Sequence, residues 1–116
     1  MLKEKSEELD INFVFQPIFD TKNLEIIAVE ALMRPKGMTP LELIDEYQKK
    51  KKLHVIEIAT CFGSTMEYKK RGYNYDICIN SFPSEYLNEG QMGLYFELFP
   101  EMEGKIIVEM VEYTEL

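Results

Sequence analysis

Glu30 and Arg34 stand four residues apart in the stretch VEALMRP, Val29 to Pro35, directly after Ile26-Ile27-Ala28. Two more oxygen-bearing side chains close apolar runs. Asn80 follows Ile77-Cys78-Ile79, and Glu109 follows Ile106-Ile107-Val108. Read as strands, these runs alternate their side chains, so Glu30, Leu32 and Arg34 share one face. Parallel strands bring their carboxyl ends to one rim, where α/β folds and barrels bind ligands. A carboxylate buried there without a partner is costly. Two carboxylates and a carboxamide on one rim therefore call for a cation, and an all-oxygen set suits Mg²⁺, Mn²⁺ or Ca²⁺ better than zinc. Each residue alone has a plainer role: Glu30 can pair with Arg34, Asn80 can cap or turn the chain, and Glu109 can stand on an exposed strand face. Only together do the three favour a site.

The elements that must position them can be read in order. Phe13-Val14-Phe15 is predicted as a short strand stopped by Pro17. Ile26 to Leu32 is the second strand, rich in β-branched residues, and Pro35 pushes Arg34 towards an extended conformation. Thr39-Pro40-Leu41-Glu42 is a helix start with a capping box, Thr39 as N-cap and Pro40 at the first helical position. Leu41, Ile44 and Tyr47 are expected to face inward. Lys49 to Lys52 closes this helix, where cations complement the dipole, rather than forming a phosphate-binding patch. A second helix is predicted from about His54 to Arg71, with Val55, Ile58, Ala59, Phe62 and Met66 at helical spacing and Gly72 as its cap. Asp76 to Asn80 is the third strand. Pro83 opens a helical stretch to about Leu98, with Leu94, Tyr95 and Phe99 available to a core. Ile106 to Glu109 begins the last strand. The alternation points to an α/β domain with a largely parallel sheet and flanking helices, covered on both faces. The first ten residues read as a polar lead-in, and residues 11–116 as the domain.

Composition narrows the function classes. The 116 residues carry 46% apolar and 29% charged side chains, which fits one folded domain. A net charge of −8 argues against DNA binding, which neutralises phosphates with Lys and Arg. No run approaches the roughly 18 apolar residues of a membrane span, so no membrane insertion is expected. MLKEKSEELD lacks the apolar core of a signal peptide. Cys61 and Cys78 form no CxxC and read as two reduced core thiols, which suits a cytoplasmic protein. His54, the single histidine, lies at a helix start and is not assigned a catalytic role.

Four segments in order carry a family resemblance. Phe15-Gln16-Pro17-Ile18 and Glu30-Ala31-Leu32-Met33-Arg34 resemble the opening of an EAL domain, the bacterial cyclic di-GMP phosphodiesterase family named for that tripeptide. Ile79-Asn80-Ser81 followed by Pro83 resembles its strand-ending Asn-x-Ser segment. Val108-Glu109-Met110-Val111-Glu112 resembles its Glu-x-Thr-Glu segment, with Val111 in place of Thr. A competing frame uses Glu112-Tyr113-Thr114-Glu115; the first is preferred because Glu109 directly follows three apolar residues. The resemblance implies Glu30, Asn80 and Glu109 as ligands of Mg²⁺ or Mn²⁺. It implies Gln16 and Arg34 as contacts to cyclic di-GMP, Arg34 suiting a phosphate through its planar fork.

The resemblance also implies a partial TIM-like (β/α) barrel, the amino-terminal half of a fold that typically needs about 250 residues. The family's Asp-Asp segment, catalytic Lys and later Glu and Gln have no counterpart up to Leu116, so the expectation is a site with no complete catalytic set in this chain. The expected function is part of a cyclic di-GMP phosphodiesterase domain in bacterial signalling. The alternatives are a degenerate, non-catalytic module binding cyclic di-GMP or a protein partner, and an unrelated α/β domain. Open sheet edges further predict a homodimer or a swapped assembly.

Overall fold

The computed structural model describes residues 10–111. Strands β1 (Ile11–Phe19) and β2 (Ile26–Pro35) form a hairpin, followed by helices α1 (Pro40–Lys49) and α2 (Leu53–Lys70), then β3 (Asp76–Ser81). A 3₁₀ turn at Pro83–Glu85, helix α3 (Glu89–Leu98), a second 3₁₀ turn at Pro100–Met102 and β4 (Ile106–Met110) complete the order. The strands lie in one sheet in the order β1-β2-β3-β4. β1 runs antiparallel to β2, whereas β2, β3 and β4 run parallel. The sheet is thus largely parallel, with an antiparallel edge strand.

Pro17 does not stop β1. It pairs opposite Val29 and the strand continues to Phe19. β1 is an edge strand, and a missing N–H on the open side interrupts no ladder.

The helices pack on one face of the sheet only. Val29, Ala31, Ile77 and Ile79 meet Tyr68, Tyr95, Phe99 and Met102 there, while Leu43, Ile44, Tyr47, Ile56 and Phe82 form an adjoining cluster. The expected cover on the second face is not found among the described residues, and Val14 and Ile107 are exposed on that side. At β4, Ile107, Val108 and Met110 are all exposed.

α1 begins as its residues dictate. The Thr39 hydroxyl accepts from Glu42 N–H, and the Glu42 carboxylate accepts from Thr39 N–H at 2.8 Å. The backbone hydrogen bond from Thr39 holds the Glu42 carboxyl below the usual range. Leu41 is exposed, contrary to expectation, and Leu43 takes its place beside Ile44 and Tyr47.

The inward face of α2 is met only in part: Phe62 packs on the core against Tyr95 and Phe99 as expected. Val55 and Met66 are exposed, while Ile56, Glu57, Thr60, Ser64, Thr65 and Tyr68 are buried. Small residues on this face let the helix lie close to the sheet. At Gly63 a Cβ would come within 2.9 Å of the Phe13 ring on β1. Thr65 is satisfied by a 2.9 Å hydrogen bond to the Cys61 carbonyl and a 2.6 Å contact to the Tyr95 hydroxyl. Gly72 takes φ +71°, which a glycine after a helix end adopts freely, and its N–H donates to the Lys69 carbonyl.

The helical stretch expected from Pro83 is broken. Asn88 and Gln91 form a second capping box that restarts it as α3. Tyr95 and Phe99 face the core as expected, whereas Leu94 is exposed.

Candidate functional site

The open face of the sheet collects the polar strand residues. Gln16 on β1 is directly opposite Glu30 on β2, and opposite residues share a face. Glu30 pairs in register with Cys78 on β3, and Asn80, two residues on, pairs with Glu109 on β4. Alternation then puts Gln16, Glu30, Cys78, Asn80 and Glu109 on one side.

Glu30 and Asn80 meet. Asn80 Nδ2 donates to Glu30 Oε2 at 3.5 Å, and both residues are half-buried. Glu109 is exposed, so the plainer reading of that residue holds for its burial. Its carboxylate nonetheless lies beside the Cys78 thiol. Burial first, then the neighbouring Glu109 and Glu30 charges, pushes that thiol up to about 11. Cys78 therefore sits in the field of both carboxylates.

Arg34 does not pair with Glu30. Its Nη1 donates to the Met33 carbonyl at 2.9 Å, and the side chain is exposed. It lines a pocket of about 290 Å³ at the carboxyl ends of β2 and β3 together with Asn80, Ser81, Phe82, Thr60 and Val111. Gln16 is exposed and lies outside this pocket's lining. Among the described residues, no three His, Cys, Asp or Glu side chains are placed to hold a metal ion. The residues expected as ligands instead comprise two carboxylates and one amide.

Behind Asn80, on the helix-covered side, lies a carboxylate that sequence reasoning did not single out. Glu57 of α2 is buried and accepts hydrogen bonds from Ser81 Oγ and from Phe82 N–H, the latter at 2.9 Å. Burial raises its pKa above the ordinary 4.5; the Ser81 and Phe82 hydrogen bonds and nearby His54 oppose this, and Glu85 adds to it. His54 itself is tied down, Nδ1 3.1 Å from the Glu85 carbonyl and Nε2 3.1 Å from Gln91 Oε1. Cys61, the other thiol, is pushed by burial up to about 12 and lies against the core. The segment 112–116, with the competing Glu112 and Glu115 frame, lies outside the described residues, as does the lead-in 1–9.

No protein-family model and no curated protein matches the chain. Solved structures do match it. An EAL domain protein from Listeria monocytogenes EGD-e aligns over 91% of this chain and 46% of its own, with TM-score 0.61 and 21% identity. The EAL enzyme Bd1971 in its cAMP- and cyclic di-GMP-bound form aligns over 94% of this chain and 34% of its own, with TM-score 0.61 and 16% identity. Its cGMP-bound form gives TM-score 0.58 at 18% identity, over 95% of this chain and 35% of its own. The chain spans less than half the length of each. What they share with it is the fold: a four-stranded, largely parallel sheet with flanking helices, equivalent to part of a TIM-like EAL domain.

Proposed function

We propose that this chain supplies part of a cyclic di-GMP phosphodiesterase domain of the EAL type, with its ligand face on the open side of the sheet. The observation that carries the reading is the meeting of Glu30 and Asn80 across neighbouring parallel strands, 50 residues apart in the chain. Asn80 lies at the carboxyl end of β3, the rim where α/β barrels place their chemistry, and Glu30 reaches it from midway along β2, which runs on to Pro35 rather than ending near Leu32. The likeness of fold to EAL proteins supports the same site.

Glu30, Asn80 and Glu109 would hold one Mg²⁺ or Mn²⁺. The donor chemistry fits such an ion: two carboxylates, and a carboxamide whose 180° turn presents Oδ1 in place of Nδ2. Mg²⁺ takes few protein oxygens and retains several waters, so three donors suffice. When bound, the ion would polarise a water and neutralise phosphate charge. Arg34, exposed at the rim, would clamp a phosphate with its fork, and Gln16 would orient the dinucleotide from β1. These contacts bind and align the ligand.

A second reading is favoured by Val111, which lines the pocket where the resembling segment has Thr. In that reading the face binds cyclic di-GMP without cleaving it. Calorimetry with cyclic di-GMP, with and without Mg²⁺, tests binding, and product analysis separates the two readings. Metal-dependent binding is expected; no heat under either condition overturns both. The soluble bacterial setting belongs to this proposal. Among the described residues, no helix is long and apolar enough to cross a membrane.

A further inference from the structure

We infer that Glu57 is a positioning residue for this site, holding the end of β3 from behind so that Asn80 stays against Glu30. This rests on the proposed role of Glu30 and Asn80 as a ligand pair. Consecutive residues on β3 point to opposite faces: Asn80 to the open side, Ser81 to the helices. Glu57 takes two of the donors that follow Asn80, the Ser81 hydroxyl and the Phe82 N–H. One carboxylate thereby pins the strand's last side chain and the first backbone amide beyond it. Ser81 and Phe82 are also pocket walls, as is Thr60, one helical turn on from Glu57. The carboxylate thus fixes three features together: the depth of β3, the direction in which the chain leaves it, and one wall of the pocket.

Stability alone does not account for this residue. A buried carboxylate is a costly way to fill space, and apolar replacements of buried charges are often neutral or stabilising. The raised pKa agrees with that cost. What the carboxylate provides, and an apolar side chain cannot, is two directed hydrogen bonds on adjacent residues. In the sequence it interrupts the apolar run Val55-Ile56 and Ile58-Ala59 with a charge that points inward.

The test uses the full chain and Mn²⁺ as probe. Affinity is measured by calorimetry, and the Asn80 side-chain amide resonances by NMR of ¹⁵N-labelled protein. Glu57→Ala is expected to weaken Mn²⁺ binding about tenfold, as loss of groups supporting metal ligands does, and to shift the Asn80 resonances. Glu57→Gln keeps an acceptor of equal length and should recover most of both. A purely structural residue would lower the melting temperature and leave affinity and Asn80 resonances in place; that result overturns the inference. Should Glu57→Ala fail to fold, Ser81→Ala removes one of the two bonds, and unmoved Asn80 resonances in it are equally decisive against. Wild-type protein that binds no Mn²⁺ would refute the ligand role of Glu30 and Asn80. The Asn80 resonances would still decide whether Glu57 positions that residue.

Discussion

Asn80 and Glu30, 50 residues apart in sequence, stand 3.5 Å apart on adjacent parallel strands, with the amide donating to the carboxylate. In the absence of a cation this contact stabilises the carboxylate through a neutral donor. Exchanging that donor for a charge should therefore have opposite effects with and without metal. Asn80→Asp places like charges about 3.5–4 Å apart, a repulsion of about 1–4 kcal/mol between aqueous and protein-surface screening. The expected outcome is a lower Tm without metal and a larger upward shift on adding MnCl₂ than in the wild type. Glu30→Gln should weaken Mn²⁺ binding by at least about tenfold, one carboxylate of two being lost. Thermal melts and calorimetry check both, and unchanged Mn²⁺ affinity in Glu30→Gln would count against the site.

Glu57 gives the protein an unusual acid limb. Its folded pKa is raised by burial above the ordinary 4.5. The native state therefore holds this proton more tightly than the unfolded chain does. Its contribution is fully present below about 4.5 and is lost as pH rises through the raised folded value. Acidification from neutral pH should thus recover stability before other carboxylates, such as Glu42 with its lowered pKa, begin to oppose it. Denaturant melts between pH 4.5 and 7.5 should show this slope in the wild type and a flatter profile in Glu57→Gln. Identical profiles would contradict the assignment.

Cys78 reports on the charge around it. With the thiol raised to about 11 by burial and by Glu109 and Glu30, alkylation of native protein at pH 8 should be slow. A cation held by those carboxylates would oppose their effect. Mn²⁺ should therefore speed the labelling of Cys78 and leave Cys61, pushed to about 12 mainly by burial, unchanged. Mass spectrometry of the labelled peptides distinguishes the two thiols. Equal rates at Cys78 with and without Mn²⁺ would place the ion elsewhere.

β4 is the last strand of the described sheet, and Ile107 on one of its faces and Val108 and Met110 on the other are exposed. Unpaired edges of this kind template association. Light scattering should show concentration-dependent dimers, and Val108→Lys, a charge on the edge, should shift the equilibrium towards monomer. A monomer persisting at high concentration in the wild type would refute the assembly.

Much of this arrangement was legible where local chemistry decides it. Thr39, Pro40 and Glu42 specify the start of α1 with three residues, and the Ile77 to Asn80 run announces β3. The misreadings have separate causes. Val55 and Met66 lie at apolar helical spacing yet are exposed, because close approach of α2 to the sheet selected Thr60, Ser64 and Thr65 instead. Periodicity of apolar residues does not reveal a face chosen for smallness. The break before α3 was announced by Asn88 and Gln91, three residues apart, a signal masked by the earlier start at Pro83. Glu57 had no local signature, since its partners come from residues 81 and 82 across the fold. That Glu30 and Asn80 meet was readable because parallel strands turn separate stretches of sequence into neighbours.

Pro17 gives the sheet a direction. Seated in β1, it withholds a donor from any strand that might extend the sheet on that side, while β4 keeps its full complement of donors and acceptors. Head-to-tail pairing of β1 with β4 is heterologous and runs on from copy to copy unless its rotation closes a ring; β4 against β4 is self-complementary and stops at two copies. A single imino acid thereby makes the two edges of the sheet unequal, closing one to a further strand and leaving the other receptive.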